Sequence, residues 1–368
     1  MTRRKRILVA ILASMTLALA SFAIAISHDS ACGPPGELPA EAQRMKAIVA
    51  RCYGSPDILS FEDVAKPVPA EDELLVKVHA AAVNPLDWHS MRGTPYIIRL
   101  GGGFGVPNDT RMGVDFAGTV VAVGKQVTRF KPGDEVFGGK SGSLAEYLVV
   151  RESRSVVLKP TNMTFEQAAA VPVAAITALQ GLRDHGLLKP GQKVLINGAS
   201  GGVGTFAVQI AKSLGAEVTG VCSTRNAELV KSIGADRVID YTREDFTSGD
   251  ERYDLILDNV GNHSLSEYRR VLQPHGRLVI VGATMDDPWL GPLMQPIKAL
   301  LSSPFVSQEM GMFIAELNPA DLKILGDMLA AGKVKPVIDR RFALSEAAEA
   351  IAYVEEGRAR GKVVVNVD

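Results

Sequence analysis

Cysteine is scarce. The 368-residue chain has three, Cys32, Cys52 and Cys222, and no two of them form a C-x-x-C pair. That scarcity predicts neither a disulfide framework nor a four-cysteine zinc lobe. An excess of charge is missing too: 40 basic residues face 41 acidic ones. Four of the basic residues (Arg3, Arg4, Lys5, Arg6) cluster at the N-terminus, which leaves the remainder acidic by about five charges. A body with that balance is not expected to bind nucleic acid. With 46% hydrophobic and 22% charged residues, wholesale disorder and a polytopic membrane protein are excluded. At roughly 150 residues per domain, the length suggests two domains.

The N-terminal segment carries what the rest lacks, a long uncharged run. From Ile7 to Ile26 no charge occurs, directly after the basic cluster, and at 1.5 Å per residue this spans about 30 Å, one bilayer core. The expectation is a transmembrane segment and a single-pass membrane anchor. Ala18-Leu19-Ala20 leaves a cleaved export signal open, and a translation start at Met45 would leave a cytoplasmic protein. Ser27 to Arg44, rich in Pro, Gly and Ala, is expected to isolate the apolar segment from the folded body.

Short strand patterns follow, at Lys46–Val49, Leu74–Ala80, Val114–Val123 and Leu144–Val150, broken by Gly, Pro and Asp. They predict a barrel-like β domain. Thr164 is placed to cap a helix, Ala168–Leu182 reads as helical, and strands then alternate with helices. The strands are expected at Lys193–Asn197, Glu217–Cys222, Arg237–Ile239, Asp254–Asp258, Arg277–Val281 and Gly311–Ala315. Such alternation implies an α/β domain with a doubly wound parallel sheet. The tail, with a strand-like Val334–Ile338 and a last strand Lys362–Val367, is expected to return to the β domain. The predicted division is residues 1–44 for anchor and linker, 45–165 and 317–368 for the β domain, and 166–316 for the α/β domain.

Glycine is the informative abundance. Between a predicted strand and helix stands Gly198-Ala199-Ser200-Gly201-Gly202-Val203-Gly204. Glycines let the backbone turn sharply and approach a pyrophosphate, and the helix N-terminus supplies free N–H groups. A plain close-packed corner is the alternative, but the strand before and the helix after favour a dinucleotide site. A site for a free ribose 2′-hydroxyl carries an acid at the end of the second strand. Here that end reads Val221-Cys222-Ser223-Thr224-Arg225, without one. A carboxylate ~4 Å from a phosphate would cost about 4 kcal/mol per charge pair at an effective dielectric near 20. Its absence favours NADP(H), with Ser223 and Arg225 on the 2′-phosphate.

The pattern Gly191-Gln192-x-x-Leu195-x-x-x-Ala199-Ser200-Gly201-Gly202-x-Gly204-x-x-x-x-Gln209-x-x-Lys212 resembles the signature of the quinone oxidoreductase/ζ-crystallin family. From Met45 onward the chain resembles the zinc-independent medium-chain reductases, and especially the branch containing the reticulon-interacting NADPH oxidoreductase. The likeness rests on Val83-Asn84-Pro85-Leu86-Asp87, Lys131-Pro132-Gly133-Asp134-Glu135-Val136, Val221-Cys222-Ser223, Val238-Ile239-Asp240-Tyr241, Leu257-Asp258-Asn259-Val260-Gly261 and Arg360-Gly361-Lys362. It implies a GroES-like β domain joined to a Rossmann domain. It also implies that Ser200, Gly202, Val203 and Ser223 hold NADPH, beside Gly198, Gly201 and Gly204 of the turn already read, with Tyr241 beside the 2′-phosphate and Asn259 beside the nicotinamide. Asn84 and Trp88 would line the substrate cleft, although Trp88 reads equally well as packing.

Zinc-dependent relatives place a cysteine where this chain has Pro85 or Leu86, and Gly-His-Glu where it has Gly113-Val114-Asp115. No metal is therefore expected, and Asp87, Asp115 and His89 are too few to replace the missing ligands. Hydride transfer without a metal suits a quinone or an α,β-unsaturated carbonyl, whose reduced form can take protons from solvent, so no obligatory catalytic acid is assigned. The alternative is a regulatory or scaffold protein that binds NADPH without turnover. The apolar stretch Trp289-Leu290, Leu293-Met294, Leu300-Leu301 and Phe305-Val306 reads as core, as the interface of a homodimer or as a surface for a lipid-like acceptor.

Overall fold

Valine and alanine dominate Glu73–Val83, and the run forms the strand around which the first sheet is built. The computed structural model describes residues 3–282, 287–289, 294 and 307–367, without side chains at 3, 4 and 6–10. Helix α1 (Arg3–Ser27) precedes β1 (Arg44–Ala50), β2 (Leu59–Ala65) and β3 (Glu73–Val83). Then come α2 (Pro85–Arg92), the single turn α3 (Arg99–Gly102), β4 (Asp115–Val123), β5 (Glu135–Gly139), β6 (Tyr147–Arg151) and β7 (Val156–Leu158). The middle of the chain holds α4 (Phe165–Ala169), α5 (Pro172–Gln180), β8 (Lys193–Asn197), α6 (Gly202–Ser213), β9 (Glu217–Cys222), α7 (Ala227–Ser232) and β10 (Arg237–Asp240). After β11 (Tyr253–Asp258), α8 (Leu265–Val271), β12 (Leu272–Ile280) and β13 (Glu309–Met312), the tail forms α9 (Pro319–Ala330), β14 (Ile338–Ala343), α10 (Ala347–Glu355) and β15 (Lys362–Asn366).

Strands β8 to β13 make one parallel sheet in the order β10-β9-β8-β11-β12-β13. This is the 3-2-1-4-5-6 order of a doubly wound dinucleotide-binding fold. The second large sheet runs β14-β15-β3-β4-β5-β7, with β6 also on β3, so the C-terminal tail does return to the β domain. One continuous core serves both sheets: Ala80, Ala82, Ala117 and Phe137 pack in the same cluster as Val194, Ile196, Leu255 and Leu257. Helix α5 links them, because the Val173 N–H donates to Asp115 Oδ1 at 2.9 Å on β4.

Several expectations need correction. The helix over Ala168–Leu182 breaks at Ala170–Val171, because Pro172 lacks an N–H and begins a new helix at its first position. Beyond α5 the chain loosens into a π turn over Gly181–His185. The strands expected at Gly311–Ala315 and Val334–Ile338 lie at Glu309–Met312 and Ile338–Ala343, and β2 shows little apolar pattern because none of its positions is buried and Glu62 and Asp63 interrupt it. Cys32 and Cys52 are disulfide-bonded, with Cα atoms 4.7 Å apart. Nor does the linker isolate α1: Ile26 is buried, and Arg99 Nη1 donates to the carbonyls of Ile26 and His28. Among the described residues no helix is long and apolar enough to cross a membrane, and the side chains of residues 7–10, where the expected span begins, lie outside that description. Of the apolar stretch after β12, only Trp289 and Met294 fall within the described residues.

Candidate active site

The glycine-rich turn joins β8 to α6 at the carboxyl edge of the parallel sheet. Gly198 has φ +76°, a left-handed conformation that a side chain resists. At Gly204 a Cβ would lie 2.1 Å from the Gly198 carbonyl oxygen, so no side chain fits where helix meets strand. The first i to i−4 bond of α6 runs from the Thr205 N–H to Gly201 O, and the N–H groups of Gly202, Val203 and Gly204 precede it. Two buried acceptors border the turn and lack a partner among the described residues, Asn226 Oδ1 and Asn259 Oδ1. Asn226 Nδ2 donates to Ser200 Oγ at 2.9 Å, while Asn259 Nδ2 donates to Asn197 O at 2.9 Å. Unpaired buried acceptors are rare, and here they mark places for a donor-bearing ligand. Free N–H groups, a cradle without side chains and two waiting acceptors fit a dinucleotide with an amide head.

At the end of β9, Ser223 precedes a 3₁₀ turn, and exposed Arg225 donates from Nη2 to Arg358 O at 3.0 Å. Tyr241 is exposed, with its N–H bonded to Cys222 O. The expectation that no acid stands here needs amendment. Strand β10 pairs Asp240 with Cys222, which brings the Asp240 carboxylate onto the Thr224 hydroxyl. That hydrogen bond holds Asp240 below the ordinary carboxylate range, and Arg243 lies 3.4 Å away. From the sequence this strand is expected to end at Ile239, with Asp240 carried only within the Val238-Ile239-Asp240-Tyr241 motif; parallel register makes it a neighbour of Thr224.

Opposite the turn lies a buried polar cluster that sequence reasoning largely missed. Asn84, at the N-cap of α2, donates from Nδ2 to Asp115 Oδ2 at 2.9 Å and accepts a hydrogen bond from Lys362 Nζ. Lys362 Nζ also reaches Asp115 Oδ2 at 3.2 Å and Val83 O at 3.3 Å. Its stem borders the cofactor turn, since Lys362 Cδ lies 3.3 Å from where a Gly202 Cβ would stand. Asp87 accepts the Asn84 N–H at 2.7 Å. Burial, with the Asp115 charge adding to it and the Asn84 N–H opposing it, pushes the Asp87 carboxyl up to about 7. Burial also raises Asp115, against the pull of Lys362. Trp88, half-buried, stacks on His89 at 3.6 Å and packs against the β-domain core. His89 Nδ1 bonds to Thr94 O, and burial lowers its pKa.

A model of the alcohol dehydrogenase GroES-like domain matches residues 70–161, and one of zinc-binding dehydrogenases matches 233–365. Over 337 residues the chain is 37% identical to a 2-methylene-furan-3-one reductase of Solanum lycopersicum, covering 88% of this chain and 79% of that protein. The chain belongs to the medium-chain dehydrogenase/reductases, in the quinone oxidoreductase family. It is 36% identical to the mitochondrial NAD(P)H oxidoreductase RTN4IP1 of Mus musculus, with 88% of this chain and 89% of that one covered. Among solved structures it resembles the quinone oxidoreductase from Coxiella burnetii, at 30% identity and a TM-score of 0.78, over 89% of this chain and all of that one. Among the described residues no three His, Cys, Asp or Glu side chains gather as a metal site. Asp115, in the Gly113-Val114-Asp115 segment, binds the Lys362 ammonium instead.

Proposed function

We propose that the protein is an NADPH-dependent oxidoreductase that passes a hydride to a quinone or an α,β-unsaturated carbonyl without zinc. The observation that carries this reading is how closely the glycine-rich turn approaches both Asn259 and Lys362: a Cβ on Gly198 would stand 3.5 Å from Asn259 Cβ, and one on Gly202 3.3 Å from Lys362 Cδ. When bound, NADPH supplies the hydride. The chain's part is to bind and orient. The N–H groups of Gly202, Val203 and Gly204 face a pyrophosphate, and Ser200 lies beside them. Ser223, Arg225 and Tyr241 surround a 2′-phosphate, with Asp240 withdrawn onto Thr224. Asn259 Oδ1 accepts from the amide head and fixes the ring face. Asn84 and Trp88 border the acceptor's side, and Lys362 holds Asn84 in place.

The working division is residues 45–165 with 317–368 for the β domain and 166–316 for the α/β domain. Residues 7–26 act as a membrane anchor in this reading. The described part of α1 supports it, because Leu12, Leu17, Leu19 and Ile24 are all more than half exposed, and apolar surface left in water is unfavourable. Two experiments test these roles. NADPH oxidation assayed across a series of quinones and enones should show turnover; cofactor binding with no turnover on any acceptor would leave a binding protein. The full-length protein should remain with membranes through alkaline carbonate, and its release would end the anchor reading alone.

A further inference from the structure

From Gly93 to Asn108 the only charged side chain is Arg99, which is itself buried. Four apolar side chains of this segment face outward, Ile97 at 45%, Leu100 at 53%, Phe104 at 51% and Val106 at 38% exposure. Trp289 joins them at 40%, with its ring 4.8 Å from Tyr96, whose N–H donates to Pro288 O at 2.9 Å. Scattered exposed apolar residues are ordinary, but a group of five around one uncharged segment marks an interaction surface.

The group surrounds the point where α1 meets the body. Arg99, stacked on Tyr53 and Tyr96, holds the Ile26 and His28 carbonyls and pairs with Asp29 at 2.8 Å. Gly105, between Phe104 and Val106, accepts the Ser30 N–H at 3.0 Å. Its φ is +74°, and a Cβ there would stand 2.5 Å from Ser30 Oγ, so the docking requires glycine.

The geometry points to a collar that seats on a lipid bilayer: Ile97, Leu100, Phe104, Val106 and Trp289 rest on the membrane surface beside the exit of α1. The inference rests on the anchor reading of residues 7–26. A helix inserted up to Ser27 brings Ile26 to Ser30 to the lipid–water boundary, and Arg99 and Gly105 fix the collar at that same level. Aromatic and aliphatic side chains suit that boundary, and no exposed charge within the segment has to be desolvated. The segment follows α2, whose N-cap is Asn84, directly in the chain.

The test uses the full-length protein in phosphatidylcholine vesicles, with plain or brominated acyl chains. The chain has two tryptophans, so a Trp88→Phe variant leaves Trp289 as the sole emitter. Brominated chains should cut its emission about twofold or more, as for an indole at the membrane boundary, while aqueous iodide leaves it little changed. A further Leu100→Gln, Phe104→Gln pair should stay vesicle-bound and lose that quenching. Protein that floats with the vesicles but shows Trp289 open to iodide and untouched by brominated lipid overturns the collar and leaves the anchor standing. Protein that does not float at all overturns the anchor reading and the collar together.

Discussion

Lys362 opens a run of three valines, yet its ammonium ends 3.2 Å from Asp115 in the middle of the molecule. Nothing local reveals this. The sequence shows a lysine at the start of a strand, and the partners lie 247 and 278 residues away. The cofactor side was more legible, because glycine spacing is a local requirement of the backbone. One expected outcome concerns Arg225: Arg225→Ala should weaken NADPH about tenfold, ~1.4 kcal/mol, with NADH little affected, as read by titration with both cofactors. A parent protein that binds the two cofactors equally would refute the 2′-phosphate assignment. A second concerns Asp87, whose carboxyl titrates at about 7 in the fold against 3.8 ordinarily. Below ~4 both folded and unfolded chains hold the proton. As pH rises from there through about 7, the unfolded chain releases it first, so this group's stabilising contribution is lost over that window. Asp87→Asn cannot ionise, so its Tm should gain on the parent's by several degrees across the same interval and level off above it. A constant difference from pH 4 to 8 would show that Asp87 stays ionised throughout.

Elements were read well where their pattern is local and poorly where a distant contact decides. Lys193–Asn197 and Glu217–Cys222 run as expected, since short β-branched runs between turns leave little choice. Helix α5 starts at Pro172, inside the alanine-rich run, because a proline without an N–H suits the first position of a helix and not its interior. The Cys32–Cys52 bond was missed for another reason: sparse cysteines argue against a framework, but one pair needs only a chain that folds back, and Arg99 arranges that. At the turn between β8 and α6, Gly204→Ala puts a Cβ 2.1 Å from a carbonyl oxygen. The turn must shift, and NADPH affinity is expected to fall at least about tenfold, with helix content retained in circular dichroism. Unchanged affinity would mean that the turn does not hold the cofactor.

For the whole molecule, two sheets share one alanine-rich core, and beside it a buried lysine supplies the positive charge that faces Asp115. Activity should therefore survive exhaustive chelation, and elemental analysis should find no zinc in proportion to protein; a tightly held equivalent of zinc would contradict this. Alternating strands and helices made the doubly wound half legible, whereas the return of β14 and β15 followed from exclusion alone. The junction at Arg99 bears on motion. A free 18-residue linker would let the body wander about 25 Å from its tether. Here the first residues after α1 are pinned by Arg99, Gly105 and the Cys32–Cys52 bond, so helix and body turn together. In the anchor reading, the uncharged run from residue 7 to 26 makes a shaft about 30 Å long, and a thinner bilayer would tilt such a shaft. On that reading the tilt would pass to the body through these ties, and bilayer thickness would bear on the orientation of the enzyme.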